Sequence, residues 1–260
     1  MLKSKLQFST FILIALSAVL CTACIVGVIF TGVRGIRPGI FDTEKGKHTS
    51  ATTLGETADY GQHYLNSMVF IGDSVIYKMR DSGLLFGGND TRQVLSGERG
   101  DLTLDYNVAN STVISTPDDT PRSLSDTIKT SKPDYIVISV GIKNGVSYCG
   151  EESFKQYYSS LIEKVSEASP SSRIILQSVL PVSREYEKNT SGISAEKIDQ
   201  ANAWICALAE KYGVRYLDTH AALSDGKGYL KSEYDSGDGL HLSNAGYEAL
   251  LNYIRTHGYK

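Results

Sequence analysis

Short runs of β-branched and aromatic residues alternate with longer amphipathic stretches along most of this chain. Met68-Val69-Phe70-Ile71, Tyr135 through Val140, Ile174 through Val179 and Val214 through Leu217 read as strands. Most are nearly unbroken apolar runs, the mark of strands covered on both faces. Between them, residues 151–168, 194–212 and 244–256 carry apolar positions at helical spacing, as in Phe154, Tyr158, Leu161, Ile162 and Val165. A shorter helix is expected over residues 75–80. This alternation predicts an α/β fold with a parallel sheet covered by helices. One stretch breaks the rhythm. Gln93-Val94-Leu95, then Ser96 to Gly100, then Leu102-Thr103-Leu104 read as a hairpin or an irregular flap beside the first strand.

The apolar pattern changes character at the N-terminus, where Phe11 to Val33 runs without a charge behind Lys3 and Lys5. A membrane core needs about 20 apolar residues to be crossed, and basic residues on the leading flank favour a cytoplasmic N-terminus. Residues 1–33 are therefore expected to be a cytoplasmic flank and transmembrane anchor. The rival is a signal sequence, cleaved or lipidated at Cys24, and the apolar run beyond Cys24 favours the retained span. Residues 34–66 are rich in Gly, Thr, Ser and charge and have no apolar period, so they read as a flexible stalk. The folded domain is then expected over residues 67–260, outside the cytoplasm, on a single-pass membrane protein.

Composition narrows the choice of partners. The 260 residues carry a net charge of −3 with no basic cluster, which removes the electrostatic case for nucleic acid. With 41% hydrophobic and 21% charged residues, extensive disorder is excluded. Cys149 and Cys206 show no metal-ligand spacing, and in an oxidising compartment they are either a disulfide or two free thiols.

Two short blocks carry the chemistry. The first strand runs into Gly72-Asp73-Ser74, and parallel sheets present reactive groups beyond the carboxyl ends of their strands. Ser74 is the candidate nucleophile; the plain alternative is that Asp73 or Ser74 only caps the next helix. Near the C-terminus, Asp238-Gly239-Leu240-His241 precedes the last helix. A carboxylate at this spacing can hold one imidazole nitrogen while the other takes a proton from a serine hydroxyl. Taken singly, each block reads as a cap or a turn; together they point to a Ser74, His241, Asp238 triad. Asp235 is a substitute acid. Asp218 and His220 mimic a second acid–imidazole pair, but no serine block precedes them. Tyr148 and Tyr234 are candidates for stacking on a sugar ring, although core or surface packing is the commoner use of tyrosine.

With these blocks in place, the chain from about Ser67 onward resembles the GDSL/SGNH hydrolase family. The resemblance implies a three-layer α/β/α flavodoxin-like domain with a parallel sheet of about five strands. It also implies acyl-ester hydrolysis without a metal or cofactor, with Ser74 as nucleophile and first oxyanion donor. The family's second block aligns with Asn107 to Ser111, which would make the Ala109 N–H the second oxyanion donor. Its third block aligns with Gly141-Ile142-Lys143-Asn144-Gly145; either Asn144 is the donor after an inserted residue, or Lys143 fills that place. The expected substrate is a small-molecule or carbohydrate ester, such as an O-acetyl group on envelope or extracellular polysaccharide. An O-acyltransferase and a non-catalytic envelope-binding protein are the rival readings.

Overall fold

The computed structural model describes residues 47–115 and 120–260. Helix α1 (Gly61–Asn66) leads into strand β1 (Met68–Gly72) and helix α2 (Ser74–Lys78), followed by β2 (Val94–Leu95), β3 (Thr112–Val113), β4 (Arg122–Ser123) and α3 (Leu124–Ser131). Then come β5 (Tyr135–Ser139), α4 (Asn144–Tyr148), α5 (Glu151–Ala168), β6 (Arg173–Gln177), α6 (Arg184–Asn189) and α7 (Ala195–Tyr212). Strand β7 (Arg215–Leu217), α8 (Thr219–Leu223) and α9 (Asn244–Thr256) close the described chain. Five strands form one parallel sheet in the order β2-β1-β5-β6-β7, while β3 and β4 pair as a separate antiparallel ribbon. Helices α3, α5 and α7 pack in series on one face, and α1, α2, α8 and α9 group on the other. The result is the three-layer α/β arrangement implied by the alternation of elements.

Residue chemistry explains where each element stops. All of β1 is buried, as a strand covered on both faces requires. At its end a side chain on Gly72 would stand 2.4 Å from Ile76 Cβ and 2.7 Å from the Ser139 carbonyl, so only glycine fits the turn. Helix α5 buries Phe154, Tyr158, Leu161, Ile162 and Val165, the stripe read from their spacing. Helix α7 is capped by the Ser194 side chain, and Gly213 ends it in the left-handed region at φ 64°.

The stalk boundary needs correction, because part of residues 34–66 belongs to the domain. Thr53 bridges Tyr216 beside β7, the Leu54 N–H donates to the Tyr216 carbonyl at 2.8 Å, and Leu54 is buried. Tyr64 and Leu65 of α1 are buried too, and the Tyr60 and Tyr64 rings meet edge to face. This segment contributes isolated apolar residues and one short helix, so it never builds the period that marks a longer element. The anchor expected over residues 1–33 and the first part of the stalk lie outside the described residues. Among the described residues no helix is long and apolar enough to cross a membrane. Cys149 and Cys206 are free thiols, so the disulfide alternative is set aside. Cys206 is buried in α7 with Ser50 and Thr53 as hydrogen-bond partners, whereas Cys149 follows α4.

Candidate active site

The chain leaves β1 through Gly72 and reverses at Asp73, which does the capping that competed with a functional reading of this block. Asp73 Oδ1 accepts the Val75 N–H at 3.2 Å, and Oδ2 accepts the Ile142 N–H at 3.4 Å. One carboxylate thus ties the loop after β1 to the loop after β5. Burial pushes this carboxyl up to about 6, against the pull of the N–H groups of Ile142, Val75 and Gly141. Tyr247 of α9 donates its hydroxyl to the Val75 carbonyl at 2.7 Å, fixing α2 from the other side. Ser74 is left free of capping duty.

His241 Nε2 lies 3.1 Å from Ser74 Oγ, and its Nδ1 lies 2.6 Å from Asp238 Oδ2. The turn that makes this possible is built by two aspartates. Asp235 Oδ1 accepts from the Gly237 and Gly239 N–H groups at 2.8 and 2.9 Å; Asp238 Oδ1 accepts from Leu240 and His241 at 3.0 and 2.8 Å. Gly239 sits at φ 77°, and a Cβ there would stand 2.3 Å from Ser183 Oγ. Asp238 therefore spends one oxygen on the backbone and keeps the other for the ring. Partial burial alone would raise its pKa, but the N–H and ring of His241 and the Leu240 N–H outweigh that and hold the carboxyl well below its usual range. A carboxylate that stays ionised keeps the proton of the neutral ring on Nδ1, leaving Nε2 to accept the serine proton. Asp235, the substitute acid, shapes the turn and does not meet the ring.

The other predicted site residues divide. A small cavity at Ser74 is lined also by Asp73, Asp101 to Leu104, Gly141, Lys143 and Asn144, with room of about 10 Å³. Asn144 opens α4 and is half-buried, while Lys143 is exposed. Gly141, at φ 125°, lets the chain turn sharply out of the strand region. Ala109 is not in this cavity. It lies in a 3-10 turn packed against α5, and the strand after it, β3, belongs to the side ribbon rather than the main sheet. On the side of β1 away from β5 the neighbouring strand is β2, so the segment that follows it to the carboxyl edge next to Ser74 is Ser96 to Leu104. Ser96 secures it by donating its hydroxyl to the Gly72 carbonyl at 2.8 Å. That was the stretch read from sequence as a flap, and only the two-residue length of β2 hid its place in the sheet. Among the described residues no group of three or more His, Cys, Asp or Glu is placed to hold a metal.

Residues 70–249 match the GDSL-like Lipase/Acylhydrolase family. The chain belongs to that family. Among solved structures, an assigned acylhydrolase from Bacteroides fragilis is 18% identical over 72% of this chain and 84% of its own, with a TM-score of 0.54. A GDSL-like lipase from Bacteroides thetaiotaomicron gives 17% identity over 75% and 88%, with a TM-score of 0.51. A Streptococcus pneumonia protein assigned as a platelet activating factor gives 22% over 89% and 96%, with a TM-score of 0.50. At such identities these likenesses speak for the fold. No curated protein matches this chain. Within the GDSL-like acylhydrolase domain, Ser74 and the Asp238–His241 turn stand at the two ends of the matched region.

Proposed function

We propose that this GDSL-like family member is a serine esterase that removes short acyl groups through an acyl-enzyme. The unbroken chain of contacts from Ser74 Oγ through the His241 ring to Asp238 carries the reading. As Ser74 Oγ forms a bond to the ester carbonyl carbon, its proton passes to His241 Nε2, and Asp238 stabilises the imidazolium. Negative charge then gathers on the former carbonyl oxygen. The Ser74 N–H and the Asn144 side-chain amide are the donors we assign to it. Collapse breaks the bond to the alcohol oxygen, which leaves with the proton from His241. Water repeats the sequence on the acyl-serine and releases the acid.

Cavity size bears on the acyl group. Room of about 10 Å³ beside Ser74 is that of about one water, which favours acetyl over longer chains. The uncharged run from Phe11 to Val33 behind Lys3 and Lys5 supports a membrane-anchored protein with its domain outside the cytoplasm. An O-acetylated carbohydrate of the envelope or its surroundings is the substrate class that fits both.

The full chain in mild detergent should hydrolyse 4-nitrophenyl acetate much faster than the octanoate. A serine-directed phosphonate should add one equivalent of mass, and Ser74→Ala should lose both activities. Labelling that persists in that variant would assign the nucleophile elsewhere, and absence of turnover and labelling in the parent protein would leave a binding protein on the same fold.

A further inference from the structure

Three large apolar or aromatic side chains stand out in water among the described residues: Phe86 at 69% exposure, and Tyr106 and Tyr148 at 83% each. Single exposed aromatics are ordinary, so position decides whether they matter. Phe86 belongs to the amino end of the sheet. Its N–H donates to Gln93 Oε1, and the same amide donates to the carbonyls of Leu65 and Met68, where β1 begins. Tyr106 and Tyr148 belong to the opposite end. Leu104, two residues before Tyr106, lines the cavity that holds Ser74 and Asn144. Its side chain lies so close to α4 that a Cβ on Gly145 would stand 2.9 Å from Leu104 Cδ2. Tyr148 is four residues beyond Asn144 on α4, hence on the same side of that helix. Burial and then the nearby Asp105 carboxylate push up the Cys149 thiol, which ties the loop to the far end of α4 as well.

The cavity that Leu104 and Asn144 line has room of about 10 Å³, which suits a short acyl group and leaves the alcohol part of the ester to the surface around its mouth. The rim chemistry is specific. Each tyrosine offers an apolar face and a hydroxyl edge, and their neighbours along the chain, Asp105 and Asn107 beside Tyr106 and Lys143 just before α4, are charged or polar. A pyranose presents the same mixture, C–H groups on its faces and hydroxyls around its edge. An alkyl chain would instead need a continuous apolar trough.

We propose that Tyr106 and Tyr148 form a stacking platform for the sugar ring of an O-acetylated carbohydrate. The proposal rests on the esterase reading above and adds the residues that select the alcohol half of the substrate. Because the rings touch the sugar and not the reacting carbonyl, they act on KM for carbohydrate esters.

The test compares, for the full chain, kcat/KM on a panel of O-acetylated glucan, xylan and N-acetylhexosamine oligosaccharides with kcat/KM on ethyl acetate, which shares the acyl group. At least one panel member should exceed ethyl acetate by about tenfold or more, and Tyr106→Ala/Tyr148→Ala should erase most of that preference through KM. The Tyr106→Phe/Tyr148→Phe pair, which keeps both faces, should retain most of it, and Phe86→Ala should leave it unchanged. A preference that survives the double alanine variant, or a parent protein with no preference on any panel member, overturns the platform while leaving the esterase reading intact. If neither ethyl acetate nor 4-nitrophenyl acetate is hydrolysed by the parent protein, the esterase reading falls and takes this one with it.

Discussion

Asp238 and His241 lie three residues apart on a glycine-rich turn, and Asp218 and His220 lie two apart at the start of α8. Both pairs follow or precede regular elements on the same sheet, and both contain one carboxylate and one imidazole. In the first, Asp238 keeps an oxygen for the ring, and the ring's other nitrogen reaches a serine hydroxyl. In the second, Asp218 Oδ1 caps the Ala221 N–H at 3.2 Å, while Oδ2 and both His220 ring nitrogens make no well-formed hydrogen bond among the described residues, the backbone of His48 and of Gly228 being their nearest polar company. The His220 backbone N–H is instead held by Ser178 Oγ at 2.8 Å. Burial pushes Asp218 up to about 6 and His220 down to about 4, so each is driven toward its neutral form. What separates the pairs is hydrogen-bond wiring: whether the acid has an oxygen to spare and whether the ring has a hydroxyl in reach.

The sharpest way to break this comparison is to remove the same atoms from each pair. Asp238→Asn or His241→Ala should lower kcat/KM by about 10³ to 10⁴, since the ring loses either its orientation or its existence. Asp218→Asn should change kcat by no more than about threefold, because nothing links it to Ser74. Steady-state kinetics on 4-nitrophenyl acetate checks both. Equal losses would mean that the buried pair communicates with the site.

A smaller effect separates the two candidate donors of the loop after β5. Asn144→Ala should cut kcat by about 10² to 10³ with KM little changed, the usual loss for one oxyanion donor. Lys143→Ala should be mild, as befits an exposed side chain. The reverse ranking would show that an ammonium serves in place of the amide.

Much of this arrangement was legible before any coordinates. Long periods such as Phe154 to Val165 are fixed by their own spacing, and the blocks around Ser74 and His241 each contain the residues that shape them. What escaped depends on contacts across the fold. Asp73 joins two loops through Ile142, a partner 69 residues away that no local pattern announces. Strand β2 is two residues long and takes its place only by pairing with Phe70 and Ile71, so the sequence does not announce that Ala109 lies in a 3-10 turn leading into the side ribbon rather than beside β1. Leu54 buries alone and Tyr64 with Leu65 as one adjacent pair, and a stalk and a packed strap look alike when neither has a period.

The mildest prediction concerns the pair that does no chemistry, and it turns on the sign of three linked ionisations. His220 is lowered from its ordinary 6.5 to about 4, so between those values the unfolded chain takes up a proton that the folded domain refuses. Stability from this residue is therefore lost as pH falls through that window. Asp73 and Asp218 are raised from 3.8 to about 6 and act oppositely: the folded state binds their protons first, and stability grows as pH falls through about 6 toward 3.8. Replacing the buried ring by His220→Leu removes only the first term. The variant should gain on the parent as pH falls from 6.5 toward 4, by at most about 1.4 kcal/mol per pH unit, whatever offset the substitution causes at neutral pH. Thermal melts of both proteins at half-unit steps test this. Parallel curves would show that His220 is not held neutral by burial, and the contrast between a wired and an unwired histidine would lose its physical basis.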